Sequence, residues 1–338
     1  MMKLTFTPLK KLVVVSSFLT CFPSYALDAT TPEKEADSSI EKLYHKLDNI
    51  PNSSISERID WSSKQFLGKP YVLGSLGEGA NARYDQFPRY RVDAFDCDTY
   101  VNTVVSIALA NSLPAFQQCI NHMRYSNGDV SYLKRAHFTG IDWNEYHQHE
   151  GLFKDITLEI KDKKNLPVAQ IATALIERPN WYAHKTIASI RLQNEDKTKQ
   201  EELLAELKSE GSKLKTASEK VPYLPLTALF PDKEKPNHYL FAQIPNGAII
   251  EIVRPNWDLR TQIGTALNIS HLGFAIWKKG QLYFREASSE CGKVVDVLLT
   301  DYLKSALNSP TIKGINVQIV MPVKPSFTEC KMPVSIQP

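Results

Sequence analysis

Long hydrophobic runs are scarce in this 338-residue chain. The apolar residues 12–22 fall short of the roughly 20 residues that cross a bilayer, and no later segment is long enough. We therefore expect no stable membrane insertion. With 43% hydrophobic and 23% charged residues, the chain has the composition of a globular protein with one or two cores.

An excess of charge of one sign is also lacking once the N-terminus is set aside. The formal net charge is +3, from 40 Lys and Arg against 37 Asp and Glu. Residues 1–26 carry three of the Lys and no acidic residue, so their removal leaves 37 of each sign. Because no basic stripe of the kind that follows phosphates remains, nucleic acid is not expected as a partner.

The N-terminus has the pattern of a secretory signal peptide. Three Lys precede the apolar run, and Ser24-Tyr25-Ala26 follows as a small-x-small cleavage site. We expect removal of residues 1–26 and a mature protein in a bacterial periplasm. Lipid attachment at Cys21 is the alternative, but Thr20 stands where a smaller residue is expected, so cleavage is favoured.

Cysteines are few, and four remain after processing: Cys97, Cys119, Cys291 and Cys330. An even number in an oxidising compartment suggests disulfides. If Cys97 is catalytic it must stay free, which leaves three. A pair between Cys291 and Cys330 is one solution, and the sequence does not assign it.

The periodicity of apolar residues changes along the chain and predicts an α+β fold. Helical spacing dominates from Ile40 to Leu109, whereas "GAIIEIV", "HLGFAIW", "QLYFREA" and "INVQIVMPV" are short runs typical of antiparallel strands. We expect N-terminal helices packed on an antiparallel sheet or barrel, with a mainly helical insertion. The expected divisions are a signal peptide (1–26), an N-terminal helical region (27–60), a helical half with Cys97 (61–160), a charged helical insertion and linker (161–240) and a β half with His271 (241–338).

Cys97 lies where a polar loop gives way to a helix, in "RVDAFDCDTYVNTVVSIALA". Free N–H groups and the helix dipole at a first turn favour thiolate over thiol. Asp98 opposes this with its charge, whereas Asp96 can cap N–H groups beyond the cysteine. A small buried core residue is the alternative interpretation of Cys97.

His271 is the best-placed base for such a nucleophile. We expect it at the start of a strand, with His271, Gly273 and Ala275 on one face, where the small residues would let a helix approach. Glu286, on the next strand, is the candidate that orients the imidazole. A sheet histidine with satisfied hydrogen bonds and an exposed Glu286 paired with a Lys or Arg are the alternatives.

Four segments in this order carry a resemblance: "FLGKPYVLG", "FDCDTYV", "SHLGFAIW" and "REASS". Together they resemble the NlpC-type, papain-like cysteine peptidases of bacterial cell walls, and in particular their N-acetylmuramoyl-L-alanine amidase branch. A further segment, with Arg135, His137, Phe138 and Trp143, matches the branch pattern "RxHFxxxxW". The resemblance spans roughly residues 61–323 and covers the insertion least.

The resemblance implies a role for each matched residue. Cys97 would be the nucleophile, with its backbone N–H in the oxyanion site, and His271 the general base and then acid. Glu286 departs from the family pattern, which often has His or another polar residue before "AS". The residues expected to line the substrate site are Tyr71, Asp96, Arg135, His137 and Trp143.

A metal site is the chief alternative chemistry, because "DWNEYHQHE" places His147, His149 and Glu150 close together. The spacing is not that of a helical HExxH motif, so solvated loop histidines explain it better. The resemblance therefore implies a monomeric amidase that acts on muropeptides without metal or cofactor. An endopeptidase cutting between D-Glu and the diamino acid, and a non-catalytic cell-wall binding module, are the competing functions.

Overall fold

A computed structural model describes residues 30–50, 53–194, 196–233 and 235–330. The predicted signal peptide and Cys21 lie outside them. The helices are α1 (Thr30–Leu47), α2 (Ile55–Lys64), α3 (Cys97–Leu109), α4 (Leu113–Arg124), α5 (Glu145–His149), α6 (Arg178–Ala183), α7 (Lys197–Gly211), α8 (Leu226–Leu229), α9 (His238–Phe241), α10 (Arg260–Ile263) and α11 (Leu299–Ser305). The strands are β1 (Phe153–Asp155), β2 (Gln170–Ile176), β3 (Ala217–Pro225), β4 (Ile249–Leu259), β5 (Thr265–Lys278), β6 (Gln281–Ser288), β7 (Lys293–Leu298) and β8 (Gly314–Val320).

The strands form one antiparallel sheet, and the α+β prediction is confirmed. Its order is β2-β3-β8-β4-β5-β6-β7, and β1 pairs with β8. All four runs that were expected to be strands contribute to it. None of the helices in the described part of the chain combines the length and apolar character needed to span a bilayer.

Helix α3 packs on one face of this sheet. Its β-branched stripe, which disfavours a helix in isolation, is buried with Leu272, Phe274 and Ile276 of β5. The opposite face buries Ala275 with Phe284 of β6 and the apolar side of α11. The prediction that Gly273 and Ala275 admit the helix is therefore wrong, because α3 lies against the larger alternate residues.

Strand β5 begins six residues earlier than expected. It starts at Thr265, so His271 lies in the middle of the strand and not at its start. The pairing of β4 with β5 shifts register between Ile252, opposite His271, and Val253, opposite Ile269. This irregularity leaves Ser270 without a partner in the ladder, immediately before His271. Irregularities of this kind re-aim the neighbouring side chain.

The inserted segment (residues 161–240) contains the expected helix α7, together with the shorter α6 and two strands that were not expected. β2 pairs along its whole length with the first seven residues of β3, from Gln170 opposite Tyr223 to Ile176 opposite Ala217. β3 then joins the main sheet through β8. In β2, buried and exposed residues alternate. The buried positions of β2 are mainly alanines, so its alternation was only weakly visible as a hydrophobic pattern in the sequence.

A disulfide joins Cys119 to Cys330, which corrects the pairing suggested for Cys291. The chain after β8 returns along α4, where the backbone N–H of Cys330 donates to Gln118 Oε1 (3.3 Å). Cys291 is free and exposed in the turn between β6 and β7. The sequence could not reveal the pairing of Cys119 with Cys330, because these two cysteines are 211 residues apart.

Candidate active site

Cys97 is the first residue of α3, as predicted, and it is free and partly exposed. Asp96 caps the helix: its Oδ1 accepts from Thr99 N–H (2.9 Å), while Thr99 Oγ1 accepts from Asp96 N–H (2.9 Å). Cys97 therefore lies in the first turn of α3, where backbone N–H groups lack carbonyl partners within the helix. Burial, followed by the charge of Asp96, raises the pKa of Asp98 to about 6, so its opposing charge is weakened in mild acid.

His271 and Glu286 form a hydrogen-bonded pair on neighbouring strands. Nε2 of His271 is the ring atom that contacts Glu286 Oε2. The His271 and Glu286 side chains are 15% and 4% exposed, so Glu286 is not the exposed residue of the alternative interpretation. The Cys97 side chain lies close enough to His271 to act on its imidazole. Three residues that are distant in sequence thus meet in one place.

The protonation of His271 follows from these two contacts. Burial alone lowers its pKa, but the hydrogen bonds and charges of Cys97 and Glu286 outweigh burial and raise the pKa to about 10. The imidazole is therefore held as a cation at neutral pH. A cationic imidazole beside a thiol favours the thiolate, which is the nucleophilic form.

Tyr302 is part of this site, and sequence reasoning missed it. Its ring stacks on that of His271, with centroids 6.5 Å apart and planes inclined by 19°. Phe284 meets the same imidazole edge-on at 5.7 Å. The two rings restrict how the imidazole can turn. Tyr302 belongs to α11, where helical spacing gave no sign that one aromatic residue faces a catalytic centre.

Tyr71 lies beside the sulfur, as the resemblance implied. The backbone of residues 70–72 runs next to Phe95, with Val72 N–H donating to Phe95 O (2.8 Å) and Phe95 N–H to Pro70 O (3.0 Å). Burial, followed by the charges of Cys97, Asp96 and Glu286, raises the pKa of Tyr71 to about 12. The phenol is therefore neutral and able to donate a hydrogen bond near the nucleophile.

Two residues expected to face the substrate have internal roles instead. Trp143 is 2% exposed; its indole N–H donates to Asn102 Oδ1 (2.8 Å) and its ring packs on Phe153. A buried indole needs such a partner, and this corrects the prediction for Trp143. Asp96 is 7% exposed, and both of its carboxylate oxygens accept from backbone N–H groups. We therefore assign Asp96 to the helix start.

Arg135 and His137 line a neighbouring cavity of about 710 Å³. Arg135 forms ion pairs with Glu78 and Asp85. The His137 ring lies between Tyr132 and Trp181, with centroids 4.8 and 4.6 Å away, and its Nε2 contacts the Tyr132 carbonyl (2.8 Å). Burial, followed by the charge of Arg135, lowers the pKa of His137 well below its usual value. His137 is therefore a neutral member of an aromatic cluster.

The "DWNEYHQHE" segment is helical, and not the solvated loop that was expected. A π-helical stretch, Thr139–Asn144, leads directly into α5. His147 is 1% exposed and its Nε2 contacts the Met123 carbonyl (3.2 Å), whereas His149 pairs with Glu150 (3.3 Å). Within the described ranges, no three His, Cys, Asp or Glu residues are grouped so as to hold a metal ion.

Comparison with protein families places this site in context. The model of the AmiA-like family, described as N-acetylmuramoyl-L-alanine amidase-like, matches residues 61–312. The chain belongs to this family. The matched residues include Cys97, His271 and Glu286, and the expected amidase branch is confirmed.

Several solved structures share this fold. Protein LPG0564 of Legionella pneumophila is 61% identical, with a TM-score of 0.86 over 89% of this chain and 99% of that one. An N-acetylmuramoyl-L-alanine amidase of Bacteroides uniformis is 22% identical, with a TM-score of 0.55 over 80% and 99% of the two chains, which shows the fold alone. A putative xylanase of Bacteroides fragilis is 25% identical (TM-score 0.51; 76% and 99% covered). No curated protein matches this AmiA-like chain.

Proposed function

We propose that this chain is a cysteine-dependent N-acetylmuramoyl-L-alanine amidase that acts on peptidoglycan fragments. The observation that carries the proposal is the placement of Cys97, at the start of α3, beside the hydrogen-bonded pair of His271 and Glu286. A nucleophile, a base and a group that orients the base are the parts that acyl transfer requires. Membership of an amidase-like family supports amide hydrolysis as the reaction.

The first half of the proposed reaction opens the amide. The Cys97 thiolate attacks the carbonyl carbon of the muramic acid lactyl group and forms a carbon–sulfur bond. The oxyanion lies near the backbone N–H of Cys97 at the helix start. As the carbon–nitrogen bond breaks, the L-Ala nitrogen takes a proton from His271 and the stem peptide leaves.

The second half releases the sugar. His271, now neutral, takes a proton from water, and the resulting hydroxide attacks the thioester carbonyl. The carbon–sulfur bond breaks, which returns the thiolate and frees the lactyl carboxylic acid, and this acid then loses its proton to solvent. Glu286 holds Nε2 of the imidazole throughout, so that the other ring nitrogen exchanges the proton. The route uses no metal and no cofactor.

The substrate and location are part of the same proposal. We infer small released fragments, anhydro-muropeptides in particular, as substrates, and a monomeric enzyme of the bacterial periplasm exported by residues 1–26. The lysine-flanked apolar run of the N-terminus supports export. Fractionation of cells that produce the full chain tests the location. Recovery of the protein from the cytoplasm at precursor mass would contradict it.

Digestion of a defined anhydro-disaccharide peptide, followed by mass spectrometry, tests the reaction. The amidase yields a free anhydro-disaccharide and an intact stem peptide. Release of a disaccharide that still carries L-Ala-D-Glu would identify the endopeptidase instead. No cleavage of any muropeptide, combined with binding to it, would identify a non-catalytic module. Cys97→Ala is the matched control for background hydrolysis.

A further inference from the structure

The loop of residues 71–91 is tied to the inserted segment by Arg191. This guanidinium donates to the carbonyl oxygens of Gly74 and Leu76 and forms an ion pair with Asp85. All three acceptors lie in the loop, and Asp85 is 1% exposed. Through this one side chain, the inserted segment makes three contacts with the loop of residues 71–91.

Gly74 carries this connection onward to the catalytic helix. Its N–H donates to Asp96 Oδ2 (2.9 Å), while its carbonyl accepts from Arg191. The other oxygen of Asp96 caps α3 at Thr99. Gly74 has φ +65°, a left-handed conformation that costs other residues strain. A continuous hydrogen-bonded path thus runs from Arg191 through Gly74 and Asp96 to the turn that holds Cys97.

Arg191 is itself held rigidly. Its backbone N–H donates to Tyr84 O (2.9 Å), and its carbonyl accepts from Gln86 N–H (2.7 Å). Its guanidinium carbon lies 3.8 Å from the centroid of the Phe87 ring. A planar fork fixed in this way holds several acceptors in one rigid geometry, which the flexible ammonium of a lysine does not provide.

We propose that Arg191 is a positioning residue for Cys97, acting through Gly74 and the Asp96 cap. The inserted segment therefore completes the active site and is not a peripheral addition to it. The inference rests on the proposed function insofar as Cys97 is the nucleophile. Loss of Arg191 leaves two loop carbonyls without their donor and loosens the loop. The hydrogen bond from Gly74 N–H to the Asp96 carboxylate, which caps the first turn of α3, is then weakened.

Arg191→Met, Arg191→Lys and a control, Arg83→Met, test this in a Cys291→Ser background. Cys291 is an exposed second thiol and is removed for that reason. Arg83 also links the loop to the inserted segment, through Glu206, but the pair is exposed (59% and 37% of the side chains). The readouts are kcat and KM on the anhydro-disaccharide peptide, the pH-dependent rate of Cys97 alkylation by iodoacetamide, and thermal melting.

We expect Arg191→Met to lower kcat on the order of 10- to 100-fold, with KM changed less than about threefold. Alkylation of Cys97 at neutral pH should slow by about threefold or more. Arg191→Lys should recover part of the kcat and part of the alkylation rate, and Arg83→Met should match the parent in both quantities. Wild-type kcat and alkylation in Arg191→Met, or equal losses in Arg83→Met, would overturn the proposal.

Two provisions keep the test decisive. If Arg191→Met does not fold, Gly74→Ala loosens the same path by backbone strain, and open space around Gly74 means that the new methyl meets no atom within 4 Å. An unchanged alkylation rate in that variant also contradicts the inference. If the parent cleaves no muropeptide, the proposed function fails, whereas the alkylation comparison still decides whether Arg191 positions Cys97.

Discussion

The catalytic centre and helix α7 of the inserted segment use charged residues in opposite ways. At the centre, the side chains of His271 and Glu286 are 15% and 4% exposed and contact each other. On α7, the side chains of Lys199 and Glu202 are 51% and 64% exposed. Exposed pairs contribute about 0–1 kcal/mol, whereas buried charges must be paired. The many charges of the inserted segment therefore do not indicate its role, because exposed pairs of this kind contribute little to stability.

Arg191 differs from these residues of α7, because it behaves like a residue of the centre. Its side chain is 22% exposed and meets a carboxylate that is almost fully buried. We therefore assign the role of the segment to Arg191 rather than to its charged helix. Substitutions at the centre and in the segment separate chemistry from packing.

The largest expected effect is that of Cys97→Ala. We expect turnover of the anhydro-disaccharide peptide to fall roughly 10⁴-fold or more, since the substitution removes the attacking sulfur. Thermal melting should change little because the side chain is small and partly exposed. Steady-state kinetics and melting curves measure both. Retained turnover in this variant would remove the cysteine mechanism and, with it, the contrast between the two regions.

Glu286→Gln should have the next largest effect. The amide keeps the shape of the side chain but removes the charge that supports the imidazolium, so we expect kcat to fall on the order of 10²-fold. The rate of Cys97 alkylation near neutral pH should fall as well. Glu290→Gln, in the following turn, is the matched control and should behave like the parent. Equal kcat in the two variants would assign Glu286 to structure alone.

Gly211→Ala should destabilise the inserted segment without altering the chemistry. A Cβ at Gly211 would lie 2.1 Å from Tyr182 Cγ, so the two must move apart. We expect a loss of about 1–3 kcal/mol in the free energy of unfolding, measured by urea denaturation. The control is Ser209→Ala on the exposed side of α7. A larger fall in kcat than in Arg191→Met would reverse the assignment of roles within the segment.

The pH dependence of stability should show the smallest effect. Because the pKa of His271 is raised to about 10, its contribution is fully present below the unfolded pKa of about 6.5. That contribution is lost as pH rises through about 10. Melting temperatures between pH 6 and 10 should therefore fall more steeply in the parent than in His271→Gln. An identical slope in both would contradict a cationic imidazole; His149→Gln is the exposed control.

Local patterns predicted the centre well. The Asp96 cap and the start of α3 at Cys97 follow from neighbouring residues, since capping depends on a few positions. The strands carrying His271 and Glu286 follow from period-two alternation. The resemblance to the amidase branch linked Cys97, His271 and Glu286 as members of one site, because their motifs follow one another in the order found in that branch. Composition alone could not supply this link.

Three other contacts between distant segments could not be predicted from the sequence. The Cys119–Cys330 bond, the stacking of Tyr302 on His271 and the reach of Arg191 to Gly74 each join residues far apart in the chain. Trp143 belongs to a matched motif, yet the motif does not reveal that its ring points into the core. Such features depend on packing, which periodicity does not encode.

The position of β8 has a consequence for how the molecule acquires its shape. This last strand lies between β3 and β4, pairing with both, so the two halves of the sheet cannot join until the final tenth or so of the chain is available. Folds dominated by such non-local pairings form slowly. A nascent chain would thus lack its completed sheet until synthesis is almost finished, which is compatible with the proposed export through a narrow pore.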